Sequence, residues 1–254
     1  GPFTTVLVKA LSDSSVHYTL VIEEINRASA AAVFGELFQL LDRKADGSSK
    51  YRINASDPSM LDYINKSLEN NGLPPISKLY MPSNLSILAT MNSSDQAVMP
   101  LDSAFKRRWQ FTYMPIDFTN KDVPKAELVI NTGENRRITW PKFAEIINRK
   151  LIETKVEEDR LIGPFYLSKD ELSTTNGALN SLSGKLFVDL WDDVLRHKGR
   201  ENIFDSSIQT FGQLSASFGK GECVLNSSIC DAINADSVPD KLTEETENGS
   251  NDEE

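Results

Sequence analysis

The sequence predicts an α/β fold: part of a parallel sheet flanked by helices, then a mostly helical part and an acidic tail. Three observations predict it. Two short apolar runs, Tyr18–Ile22 and Leu85–Thr90, each stop abruptly in polar residues, as strands buried on both faces of a parallel sheet do. Apolar stripes at helical spacing separate and follow them. From about residue 232 the chain turns acidic and rich in Pro, Ser and Asn, a composition too poor in apolar groups to pack.

Taken in order, Phe3 to Leu11 reads as the end of a helix, and Tyr18–Ile22 as the first strand, ending in Glu23-Glu24. Ala30 to Leu41 reads as an amphipathic helix, with Ala30, Val33, Phe34, Leu37, Phe38 and Leu41 on one face. Residues 43–83 are polar and mixed, with a hairpin strand expected at Lys50–Ile53 and a short helix at Pro58–Glu69, broken by Asn71-Gly72 and Pro74-Pro75. A short helix is expected at Leu101–Arg108, and the alternation of Trp109–Tyr113 predicts a third strand. Residues 117–138 read as a polar connection. Phe143, Ile146, Ile147 and Leu151 then line one helix, and Leu186, Phe187, Leu190, Trp191, Val194 and Leu195 another, with Gly199 as its stop. The expected organisation is therefore an α/β part over residues 1–118, a mostly helical part over 119–231 and a disordered tail over 232–254.

Composition removes several classes of function. Apolar residues make up 39% and charged residues 25% of the 254, which suits a packed core. No apolar run is long enough to cross a bilayer and no secretory leader pattern stands at the N-terminus, so a cytoplasmic protein without membrane contact is expected. Of the net charge of −10, residues 236–254 hold −7. The acidity thus describes a tail, and it assigns that tail no role on DNA. Cys223 and Cys230, with the distant His17 and His197, have no zinc-ligand spacing and are expected as reduced thiols.

Three stretches could carry chemistry. At Glu23-Glu24-Ile25-Asn26-Arg27, two carboxylates leave the carboxyl end of a buried strand, where ligands of open parallel sheets sit. Neighbouring strand residues point opposite ways, so one acid can serve a Mg²⁺ shell while the other activates a water. At Thr90-Met91-Asn92-Ser93-Ser94-Asp95, a second strand ends in short polar groups, and Asn92 could hold a water against a terminal phosphate. At Asp102–Trp109, an acid opens a short helix and Lys106, Arg107 and Arg108 close it. Those charges complement the helix dipole, and an arginine there could equally reach a neighbouring subunit's phosphate. Each stretch alone is more readily structural: a solvated strand end, a turn, a complemented dipole.

Their order is more telling than any one of them. Glu24 precedes Asn92 by 68 residues and Asn92 precedes Arg108 by 16. An acid pair on a strand, a polar Asn on the next strand and a basic helix end resemble the Walker B, sensor-one and arginine-finger series of AAA+ NTPases. More narrowly, Glu23-Glu24-Ile25-Asn26-Arg27-Ala28, Phe34-Gly35-Glu36-Leu37, Met91-Asn92-Ser93-Ser94-Asp95 and Leu101–Trp109 resemble the McrB-type family, motor subunits of modification-dependent restriction systems. Ile162-Gly163-Pro164-Phe165-Tyr166 and Leu190-Trp191-Asp192-Asp193 are similar to that family's helical lid. The resemblance covers roughly residues 1–212. It implies a partial AAA+ core followed by a lid, with Glu23 at the magnesium position, Glu24 as general base, Asn92 and Asp95 as the polar pair facing the nucleotide, and Arg107 or Arg108 as a finger acting on the neighbouring subunit. It implies Mg²⁺, GTP or ATP as substrate, a ring of copies, commonly a hexamer, a McrC-like nuclease partner, and DNA reached through the complex or through a domain outside this sequence.

The chain departs from that pattern in four ways. No G-x-x-x-x-G-K-[ST] loop occurs, and Gly219-Lys220-Gly221 lacks the strand–loop–helix setting. The loop is expected ahead of Gly1, so the chain reads as a fragment that by itself binds nucleotide weakly. Glu23 stands where Asp is usual, which favours a metal contact through water. Gln96 replaces the motif's Arg, and no DNA-reading domain is evident. Two other roles share these features: an AAA+ scaffold that does not hydrolyse, and a MoxR-like remodelling ATPase.

Overall fold

A computed structural model of the chain describes residues 1–91, 99–197 and 199–240. The chain divides into two compact units, Gly1–Tyr113 and Met114 onward, each with its own apolar core.

The first unit opens with α1 (Pro2–Ser12), whose Leu7 and Ala10 are buried, and continues into β1 (Tyr18–Ile22). β1 pairs in parallel with β2 (Leu85–Ala89), in the register Tyr18↔Leu85 through Ile22↔Ala89. The helix expected over Ala30–Leu41 is broken. α2 spans Ala30–Phe34 and the chain then tightens into a 3₁₀ segment, Gly35–Leu41. The break falls at Gly35, whose φ of 47° lies in the left-handed region that other residues avoid. α3 (Pro58–Asn70) starts where Asp57 caps the Ser59 N–H at 2.9 Å and Pro58 presets the first turn. The hairpin strand expected at Lys50–Ile53 is reduced to single bridges, Arg43↔Ser49 and Ile53↔Leu79.

α4 (Ser103–Lys106) is one turn, capped by Asp102, which accepts from the Phe105 N–H at 2.6 Å. Phe105 is buried and anchors an aromatic cluster: Phe34 at 5.3 Å, Trp109 at 5.5 Å and, stacked, Phe38 at 5.6 Å between ring centres. The strand expected at Trp109–Tyr113 does not form. Trp109 turns into the aromatic cluster, while Phe111 and Tyr113 stay 56% and 65% exposed, so the alternation has no partner strand among the described residues.

The second unit begins with structure that the polar composition of 117–138 conceals. β3 (Glu127–Asn131) and β4 (Asn135–Thr139) form an antiparallel hairpin, burying Leu128, Ile130 and Ile138 on one face. α5 (Trp140–Glu153) buries Phe143, Ile147 and Leu151, as its stripe predicts. The second helix starts earlier than its stripe, at α6 (Thr175–Ser181), and runs through a π turn at Leu182–Leu186, α7 (Phe187–Asp189) and a second π turn at Leu190–Val194. Gly199, expected to stop it, sits instead at φ 89° ahead of α8 (Arg200–Ile203). α9 (Phe211–Gly219) carries a full capping box, Thr210 with Gln213.

The expectation of disorder from residue 232 is corrected over 232–240. α10 (Ser227–Asp236) buries Ile229, Cys230 and Ile233, and β5 (Val238–Pro239) adds an edge to β4. The Arg137 Nε–Asp240 Oδ1 ion pair, at 2.8 Å, holds the end in place. Asp240 thus raises the Arg137 pKa by hydrogen bonding and by charge. Composition hid this because three buried side chains suffice to dock a ten-residue helix onto an existing core. The rest of the tail, 241–254, lies outside the described residues. Among the described residues no helix is long and apolar enough to cross a membrane.

Candidate functional site

Parallel pairing in register makes β1 and β2 end side by side, so the segments leaving the two strands meet. The Thr90 N–H donates to the Ile22 carbonyl at 3.0 Å, and the Thr90 carbonyl accepts from the Ile25 N–H at 3.0 Å. Its hydroxyl accepts from the Glu24 N–H at 3.1 Å. These bonds hold Glu24 at φ 51°, ψ 54°, a left-handed conformation that costs a non-glycine residue about 1–2 kcal/mol. Strain of this kind persists only where the surroundings over-determine it, and it concentrates at functional sites.

The result is an open cleft of about 440 Å³ lined by Glu23, Glu24, Arg27 and Thr90. Both acids of the predicted pair line it. Arg27 follows within the same short turn, and its Nε donates to Glu24 Oε2 at 2.5 Å, both side chains being about half exposed. Asn26 is 3% exposed and its carbonyl accepts from the Met99 N–H at 2.7 Å. The segment after β2 therefore leaves from Thr90, beside Glu24, and returns to Asn26. Asn92 and Asp95, the two other predicted polar site residues, fall within it and lie outside the described residues, as does Gln96.

The donors in the cleft are hard oxygens: two carboxylates and a hydroxyl. Among the described residues no three His, Cys, Asp or Glu side chains form a metal cage. That donor set fits Mg²⁺, which keeps much of its water and is commonly held by one or two carboxylates together with substrate phosphates.

The two candidate fingers have different fates. Arg107 is exposed. Arg108 is held inside its own unit, its side chain 9% exposed. Its Nε and Nη2 reach Asp42 Oδ2 at 3.0 and 2.8 Å, its Nη1 donates to the Ala104 carbonyl at 2.6 Å, and its guanidinium lies 4.0 Å over the Phe38 ring. Asp42 lies 66 residues from Arg108, and no sequence spacing rule connects them. Thr90 and Arg27 are site residues to which the sequence assigned no role. The available signal was their position: a hydroxyl at the end of one strand and a base three residues beyond the acid at the end of the other.

The lid-like motifs of the second unit are joints. The Pro164 carbonyl accepts from Trp140 Nε1 at 3.0 Å, and Asn148 bonds both backbone groups of Ile162, at 2.7 and 2.9 Å. The Trp191 carbonyl, in the second π turn, accepts twice from Arg200, at 3.0 and 2.8 Å, and Arg200 also stacks on the Trp191 ring.

In the first unit, then, a parallel strand pair with two acids at the carboxyl end of β1 precedes a short basic helix. Residues 4–109 match the AAA domain of the dynein-related subfamily. Component YdiS of the type II restriction enzyme BsuMI of Bacillus subtilis (strain 168) is 40% identical over 233 residues, 91% of this chain and 64% of that protein. The EcoKMcrB subunit of the type IV methyl-directed restriction enzyme of Escherichia coli (strain K12) is 29% identical over 157 residues, 62% of this chain and 29% of that protein. The chain is thus similar to McrB-like AAA+ proteins of restriction systems, and residues 4–109 carry the likeness to the AAA domain. It spans less than two thirds of the length of either relative.

Proposed function

We propose that this chain supplies the magnesium-and-water side of a nucleoside triphosphate hydrolysis site, in the motor of a McrB-like restriction system. The observation that supports it is the cleft in which Glu23, Glu24 and the Thr90 strand end meet. Glu24 is the general base: Arg27 engages Oε2, which leaves the second carboxylate oxygen to take a proton from the attacking water. Thr90 keeps that carboxylate in position through the Glu24 backbone. Glu23 would hold Mg²⁺, with water between them, and Asn92 and Asp95 are the residues we assign to the attacking water and the terminal phosphate. Bound Mg²⁺ would neutralise charge on the phosphates of GTP or ATP.

Arg107 acts in trans on the neighbouring copy's nucleotide in a ring, of hexameric order, and Arg108 fixes the helix that presents it. Both relatives are named as parts of restriction enzymes. A McrC-like nuclease subunit is accordingly the partner we assign to this motor, with DNA engaged through the complex. The test is turnover in a chain that also carries a phosphate-gripping loop. Glu24→Gln is expected to lower kcat by about 10² or more and to leave nucleotide affinity unchanged. Unaltered turnover would remove Glu24 from the role of base. Equal loss of binding and turnover would assign it to the metal instead.

A further inference from the structure

Cys223 and Cys230 stand apart from the cleft and from every role assigned above. They belong to the second unit, on the loop after α9 and in the first half of α10. Their sulfur atoms are 3.2 Å apart, and both thiols lie against the Leu225 carbonyl, at 3.8 and 3.6 Å. Both are free thiols, Cys223 half-buried and Cys230 buried. The pair is therefore asymmetric: solvent and small reagents reach Cys223, while Cys230 waits behind it within a seven-residue separation. A disulfide needs the sulfurs about 2.05 Å apart, so closure asks for little more than an adjustment of the two side chains. The Cys223 side can give because it sits in a loop, between α9 and the Asn226 cap of α10, where the Asn226 side chain accepts from the Ser228 N–H at 2.9 Å. Burial, and then the Cys223 hydrogen bond, push the Cys230 thiol up to about 12, so Cys223 is the thiol that attacks an external reagent.

We propose that Cys223 and Cys230 are a dithiol modification site that a low-molecular-weight disulfide converts to an intramolecular disulfide. The Cys223 thiolate attacks one sulfur of the reagent, forming a mixed disulfide and releasing one thiolate. Cys230 then loses its proton to solvent and attacks the Cys223 sulfur, and the second reagent thiolate leaves. Two protein thiols are oxidised, one external disulfide is reduced to two thiols, and atoms and electrons balance. The product clips the loop after α9 to α10, the helix that leads into β5 and buries Ile229 and Ile233.

The experiment incubates the whole chain with oxidised glutathione at graded ratios to reduced glutathione, then quenches with an alkylating agent for intact-mass analysis. The expected result is a monomer that takes up no alkyl group, lighter than the reduced chain by two hydrogens. Cys230→Ser is expected to stop at a stable glutathione adduct on Cys223, and Cys223→Ser to react far more slowly than wild type. Three outcomes would overturn the proposal: wild type that ends as the Cys223 adduct, wild type whose two thiols remain alkylatable under excess oxidant, or a disulfide-linked dimer. The wild-type mass decides the matter even if either serine variant folds poorly.

Discussion

The adjacent residues Arg107 and Arg108 show how much a single side chain's surroundings decide. By sequence they are equivalent candidates. In the fold, Arg108 fills a slot between the Phe38 face and Asp42, and Arg107 stays exposed. Removing Arg108 leaves a partly buried carboxylate unpaired and strips a ring of its cation. Arg108→Ala is expected to cost about 2 kcal/mol, below the range for breaking a fully buried pair because Asp42 keeps some solvent. Urea denaturation is the measurement, and Asp42→Asn should show a loss of similar size. Arg107→Ala is expected to leave stability unchanged and, in mixed rings with Glu24→Gln subunits, to recover turnover that neither variant shows alone. No recovery under confirmed mixing would end its role as a finger. The two acids that line the cleft were legible as residue types at a strand end. The Asp42 partner of Arg108 was not, because it is a contact between distant stretches. Tyr166 gives a further residue-scale prediction. Burial, and then the Asp189 charge, hold its phenol well above the ordinary 10.0. A group with a raised folded pKa contributes fully below its unfolded value and loses that contribution as pH rises through the interval. Stability should therefore fall from about pH 10 upward, and Tyr166→Phe should flatten that fall by about one proton, as read from urea melts at stepped pH.

Among the elements, those legible in the sequence carry a strong period or an abrupt end. β1, β2, α3 and α5 stand where apolar runs and stripes place them. β3 and β4 escaped because their buried face is only Leu128, Ile130 and Ile138, and their other positions, Val129 apart, are polar or charged, Arg136 and Arg137 among them. The two π turns obey no sequence rule that a 3.6-residue stripe could express. The break after Phe34 was legible in kind, since a glycine interrupts the stripe, but the periodicity on either side argued for continuity. This break can be tested. A Cβ at Gly35 would meet nothing within 4 Å, so the whole penalty of a substitution is its φ of 47°. Gly35→Ala should cost about 1 kcal/mol, and Gly35→Asn less, because Asn tolerates this region. Equal stability of the alanine variant would mean that the α2 stripe continues through the 3₁₀ segment at no cost. Denaturant titration of the three chains separates these outcomes.

At the scale of the whole molecule, the decisive fact is that apolar burial is divided. One core gathers Leu7, Leu40, Ile64, Leu85 and Phe105, and another gathers Trp140, Phe143, Leu186, Phe187, Phe204 and Ile233. The dithiol pair and the lid-like joints belong to the second, the acid-lined cleft to the first. Cooperativity in unfolding tracks the core that side chains share, so a lesion in one core should act on its own unit. Phe143 is fully buried on α5. Phe143→Ala removes a ring from a close-packed site and should destabilise the second unit by about 3–5 kcal/mol. The first unit's aromatic cluster includes Trp109, whereas the second unit's core holds Trp140 and Trp191. Chains in which Trp140 and Trp191 are replaced by Phe report the first unit through Trp109 alone, and Phe143→Ala should leave that fluorescence transition in place. Circular dichroism of the same chain should show an earlier loss of helix, since α5, α6, α9 and α10 all lie in the second unit. If the Trp109 transition moved by the full amount, the two cores would be unfolding as one, and separate stability of the cleft-bearing unit would have to be given up.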